Sequence, residues 1–115
     1  MAVKKVSTTS NVTTLGKDEW HVSNGGVLIG GTVNNGSGKL YVSSGGTAKN
    51  TIVAVDDARV YVLNGGKLVN TLIKADQTHV EISSGGAADT TTITHYGSMF
   101  VFSAGTAEIS NVLRV

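Results

Sequence analysis

The chain has 115 residues, a formal net charge of +1, 15 glycines, no proline and no cysteine. That charge argues against a nucleic-acid binder held by bulk electrostatics, and the missing cysteines exclude a disulfide framework and thiolate chemistry. The length fits one domain, and no apolar run approaches the roughly 20 residues a spanning helix needs, so no membrane insertion is expected.

Residues 1–19 open with Lys4 and Lys5, a small basic start that reads as a solvated terminus. No apolar stretch of signal-peptide length follows the two lysines. Val12 and Thr13, then Gly16-Lys17, anticipate the phase of the later rows, so 1–19 is read as a half coil that caps one end. From residue 20 one phrase recurs: "HVSNGG" at 21–26, "YVSSGG" at 41–46, "YVLNGG" at 61–66, "EISSGG" at 81–86 and a worn "VFSAGT" at 101–106. A fixed period in this range marks a repeat architecture.

Each row begins with a strand. Trp20, Leu40, Val60, Val80 and Phe100 form one apolar column, and Val22, Val42, Val62, Ile82 and Phe102 another. Between them alternate Glu19, Lys39, Arg59, His79 and Met99, then His21, Tyr41, Tyr61, Glu81 and Val101. Such alternation predicts a strand with one buried face. The Gly-Gly pairs that follow predict a sharp corner, because glycine reaches positive φ without steric cost. A short third column, Leu28, Ala48, Leu68 and Ala88, breaks at Glu108.

A second main strand carries Thr51, Thr71 and Thr91, with Gly31 and Asn111 at the ends of that column. Its constant inward column is Val33, Val53, Ile73, Ile93 and Leu113. A second corner falls at Gly36-Ser37, Asp56-Asp57, Asp76-Gln77 and Tyr96-Gly97, mostly turn chemistry. No window has helical spacing. The pattern predicts an all-β, single-domain parallel β-helix of about five 20-residue coils over 20–115. Parallel crossovers favour the right hand.

The stretches "SSGGTAKNTIV" at 43–53, "NGGKLVNTLI" at 64–73 and "SSGGAADTTTI" at 83–93 resemble repeats in the passenger domains of bacterial autotransporter adhesins, of the self-associating and diffuse-adherence type. The resemblance covers about residues 20–113. It implies a right-handed β-helix, exposed at a cell surface, in adhesion or self-association. Some members carry heptoses on serines and threonines, which by position implies Ser43, Ser44, Ser83 and Ser84 as acceptors. Those proteins are long and exported and carry a membrane-anchoring barrel, which this stretch lacks. The location implied is the cell surface for a piece of a longer exported protein, and the cytoplasm for a complete chain.

No residue pattern points to catalysis, a cofactor or a metal. His21, His79 and His95 occupy three different columns, His95 at an inward phase. Asp56, Asp57 and Asp76 read as turn aspartates, since the glycine-rich nonapeptide of calcium β-rolls is absent. Asp56, Asp57, Asp76, Glu81 and Asp89 could pair as hydrolase acids, but short loops provide no walls for a sugar cleft. "GGVLIGG" at 25–31 lacks the Lys-Ser/Thr and helix of a phosphate loop. A flat ice-binding threonine ladder is disfavoured, because the Thr51 column has the phase of the core.

Surfaces remain. Tyr41 and Tyr61, flanked by Lys39, Arg59 and His79, have the composition of an interaction face. The two solenoid ends must be capped or paired, and the last coil shows no charged cap. The expected partner is a protein or a second copy, joined through coil ends or strand faces. The leading functional expectation is a non-catalytic structural or adhesive module. The alternative is a small stand-alone cytoplasmic protein of phage type that blocks or scaffolds a partner.

Overall fold

The computed structural model describes residues 3–94 and 98–112, with side chains through 107. The expectations for His95, the Tyr96-Gly97 corner and Leu113 fall outside the described residues. Among the described residues thirteen strands follow one another: β1 (Val3–Val6), β2 (Thr9–Thr14), β3 (Glu19–Val22), β4 (Val27–Val33), β5 (Lys39–Val42), β6 (Thr47–Lys49), β7 (Ile52–Val53), β8 (Arg59–Val62), β9 (Lys67–Ile73), β10 (His79–Ile82), β11 (Ala87–Ile93), β12 (Met99–Val101) and β13 (Thr106–Val112). They form two parallel sheets. One runs β1-β3-β5-β8-β10-β12, and the other runs β13-β11-β9-β6-β4-β2 with β7 between β4 and β9. This is a β-solenoid of about five turns.

The register explains the period. Trp20 pairs with Leu40, Leu40 with Val60 and Val60 with Val80, each twenty residues on. Leu40, Val60, Val80, Val22, Val42, Val62 and Ile82 are fully buried. A buried side chain of this size contributes roughly 1.5–3 kcal/mol, and each coil secures it only by lying against the next. Residues 3–14 take part too: Lys4 pairs with Trp20, and Val12 with Gly30. Lys4 thus stands in the inward column of the first rung. Its ammonium lies 5.2 Å from the centre of the Trp20 ring and 3.3 Å from Asp18 Oδ2.

The second strand is one long element rather than two. In β4, β9 and β11 seven residues run on, and only the Asn50 rung splits into β6 and β7. Gly30, Asn50, Asn70 and Thr90 each have a positive φ, between 57° and 87°. This left-handed residue resets the alternation, so positions 28, 31 and 33 all face inward. Asn50 and Asn70 suit the conformation because asparagine tolerates it better than most residues. Asn70 Nδ2 also donates to Asn50 Oδ1 at 3.0 Å.

The last coil departs from the expected columns. Val80 pairs with Met99, Glu81 with Phe100 and Ile82 with Val101. The offset there is nineteen residues. Phe100 and Phe102, expected inside, are 45% and 51% exposed. The slip falls between Ile93, still twenty residues beyond its partner Ile73, and Met99. Between Ile93 and Met99 the chain has one residue fewer than between their partners Ile73 and Val80. The slip also repairs the short third column: Ala107, not Glu108, pairs with Ala88. Asn111 likewise leaves its expected column, since it pairs with Thr92, and Val112 pairs with Ile93. A one-residue shift turns every side chain of a strand over, which takes Phe100 out of the inward column; Val101, now opposite Ile82, is 44% exposed in this last coil.

The two glycines of each corner have different duties. The first (Gly25, Gly45, Gly65, Gly85) has φ of 82° to 84°. The second does not, but a Cβ on Gly66 would fall on the Val42 carbonyl of the coil above. Close stacking of backbone on backbone, rather than a left-handed turn, excludes a side chain there.

Candidate interaction face

The outward face of the first sheet carries two ladders side by side. One is Glu19, Lys39, Arg59 and His79, held in register by β3, β5, β8 and β10. The other is Lys5, His21, Tyr41, Tyr61, Glu81 and, after the slip, Phe100. Parallel in-register strands place equivalent side chains about 4.8 Å apart, which is close to the stacking distance of flat rings. His21 and Tyr41 stack with centroids 4.7 Å apart and planes within 9°. Tyr41 and Tyr61 stack at 5.1 Å and 20°.

Polar contacts tie the two ladders together. The His21 ring nitrogen Nε2 lies 2.8 Å from Glu19 Oε1. Arg59 Nη1 donates to Tyr61 Oη at 3.4 Å. That bond, with the Tyr61 phenol and the acids Asp57 and Glu81, holds the guanidinium's pKa above its usual value despite some desolvation. Burial within the stack pushes the Tyr41 phenol up, aided by Glu19 and Tyr61 and opposed by Arg59. At the far end His79 lies 5.3 Å from Phe100 with planes 37° apart.

All five residues expected on this face share it: Tyr41 and Tyr61 in one ladder, Lys39, Arg59 and His79 in the other. His21, which was not among the residues expected on this face, joins the stack. Its signal was its column, the one that holds both tyrosines. Because the rings stack face to face, their flat surfaces are occupied by each other. The face offers solvent ring edges, two phenol hydroxyls and the cations Lys39 and Arg59. Such a surface suits contact with hydrogen-bond acceptors and anionic groups over an extended, flat area.

The serines of the first corner lie beside this face. Ser44 and Ser84 are exposed, while Ser43 and Ser83 are half-buried. Ser43 N donates to Val22 O, and Ser83 N to Val62 O, so the backbone ladder holds both. Leu63 stands between them in the column, and Ser23 has the same position one coil earlier.

Among the described residues no three metal-ligating side chains come together, and no helix is long and apolar enough to cross a membrane. Asp56, Asp57 and Asp76 lie at the second corner, where Asp57 and Gln77 have positive φ. A shallow hollow of about 290 Å³ opens on the second sheet between Lys67, Ala87, Ala88, Asp89, Thr106 and Ala107. Its lining holds one ammonium and one carboxylate.

No family model matches the chain, and no curated protein matches it. A solved structure does. It is the crystal structure of a TibC-catalysed, hyper-glycosylated fragment of TibA, 30% identical, with a TM-score of 0.69 over 91% of this chain. The chain spans 45% of that one. The likeness agrees with the resemblance carried by the repeats: this is an autotransporter-like, adhesin-like β-helix module.

Proposed function

We propose that the chain is a non-catalytic segment of a bacterial surface stalk that acts by self-association or by contact with a protein or glycan. The likeness to the glycosylated TibA fragment over nearly the whole chain carries this reading. It favours a surface module over a stand-alone intracellular blocker. The contact face is the pair of ladders on the first sheet, with Tyr41, Tyr61, Lys39, Arg59, His79 and His21. Aromatic and arginine side chains on a rigid, pre-ordered surface lose little entropy on binding. The corner serines Ser43, Ser44, Ser83 and Ser84 are the proposed sugar acceptors, supported by their place at an accessible corner and by the glycosylation of the similar fragment.

Beads coated with the chain test the first part. The native protein is expected to clump the beads or bind cells, and the Tyr41→Ala/Tyr61→Ala variant to do neither while its circular dichroism stays native. No clumping or binding by the native protein, or full activity in the variant, would sink the reading. Co-expression with a TibC-type glycosyltransferase tests the second part. Intact mass is expected to rise, and to rise less when the four serines are changed to alanine.

A further inference from the structure

Three threonine hydroxyls stand in line inside the solenoid. Thr51, Thr71 and Thr91 are at most 2% exposed. Thr71 pairs directly with Thr91, and Leu72 N donates to Thr51 O, so the three occupy consecutive rungs. None of their Oγ1 atoms has a hydrogen-bond partner among the protein atoms. A buried hydroxyl without a partner costs about 1–3 kcal/mol, and here the cost would be incurred three times in one column. Valine fills the same volume without that cost and is abundant in this core.

The spacing suggests what satisfies them. Neighbouring rungs are about 4.8 Å apart, too far for one hydroxyl to bond the next directly. An oxygen placed about 2.8 Å from both would subtend an angle of about 118°, close to what a water molecule prefers. The neighbouring inward column alternates in size. A Cβ at Gly31 would stand 3.2 Å from Leu28 Cδ2, so columns 28 and 31, three residues apart on one strand, touch each other. Beside Thr51 and Thr91 that neighbour is only Ala48 and Ala88. A buried water needs a polar site with at least two partners, and each gap between threonines supplies two hydroxyls.

We propose that the lumen binds a file of ordered water: one molecule bridging Thr51 and Thr71, and one bridging Thr71 and Thr91. Thr71, bonded to both, is the keystone of the file. The column then serves as a polar spine, holding three coils in register from within. A crystal structure of the native chain, at a resolution that shows solvent, tests this directly. Density within hydrogen-bond distance of both hydroxyls in each gap is expected, and a dry lumen overturns the proposal. Thr71→Val gives an independent readout. With the file present, the variant strips a partner from both waters, and the thermal midpoint falls by roughly 4 °C or more. In a dry lumen the same change removes an unsatisfied hydroxyl and the midpoint rises, which would also overturn the proposal.

Discussion

Val80 pairs with Met99, nineteen residues on, whereas Val60 pairs with Val80, twenty residues on. That single-residue difference decides which side chains of the last coil stand opposite the core columns. Phe100→Ser is therefore expected to change stability by less than about 0.5 kcal/mol, as for an ordinary surface position. Val80→Ala, which empties a fully buried site, is expected to cost about 2 kcal/mol or more. Urea unfolding of both variants checks this. A loss of several kcal/mol from Phe100→Ser would mean that the twenty-residue register holds to the end.

The two glycines of a corner should respond differently to alanine. At Gly66 the added methyl meets the carbonyl of the coil above, a rigid neighbour, and the expected cost is on the order of 3 kcal/mol. At Gly25 the methyl enters open space and only the φ of 82° is unfavourable, so the cost is about 1 kcal/mol. Thermal unfolding of Gly66→Ala beside Gly25→Ala ranks the two; equal losses would refute the stacking argument.

Asn70→Ala loses both the bond to Asn50 and the tolerance of a φ of 63°. The expected cost is about 1 kcal/mol, most of it from the backbone. Asn70→Gly restores the conformation without the bond, so it should recover the larger share. Chemical denaturation separates the two contributions, and a glycine variant no better than alanine would show that the side-chain ladder dominates.

Burial, then Glu19 and Tyr61, raise the Tyr41 phenol above its ordinary 10.0 in the folded state. The folded chain therefore holds that proton more tightly than the unfolded chain. By linkage, stability is fully present below pH 10 and declines as pH rises through the raised value. Tyr41→Phe should flatten the alkaline limb of a stability–pH curve. A slope identical in the native chain and the variant would place the cause elsewhere.

The fold was legible because its signal is redundant. Val22, Val42, Val62 and Ile82 repeat one inward residue at one spacing, and a coil that cannot bury its face alone requires such repetition. The two ladders of the proposed contact face were legible as columns for the same reason, since Tyr41 and Tyr61 share one. His21 was not, because stacking on Tyr41 belongs to two coils and to neither alone. Ser43 and Ser83 could be placed at a corner but not ranked by exposure, which depends on the coils around them.

The sequence by itself determined the period, the two faces of each strand and the parallel stacking, because alternation and repeat length are properties of the chain. Only the tertiary structure decided where the register slips, why the second glycine of each pair has no side chain, and that three buried threonine hydroxyls find no partner among the protein atoms. Those depend on distances between coils, and a distance between coils is not written in any one of them.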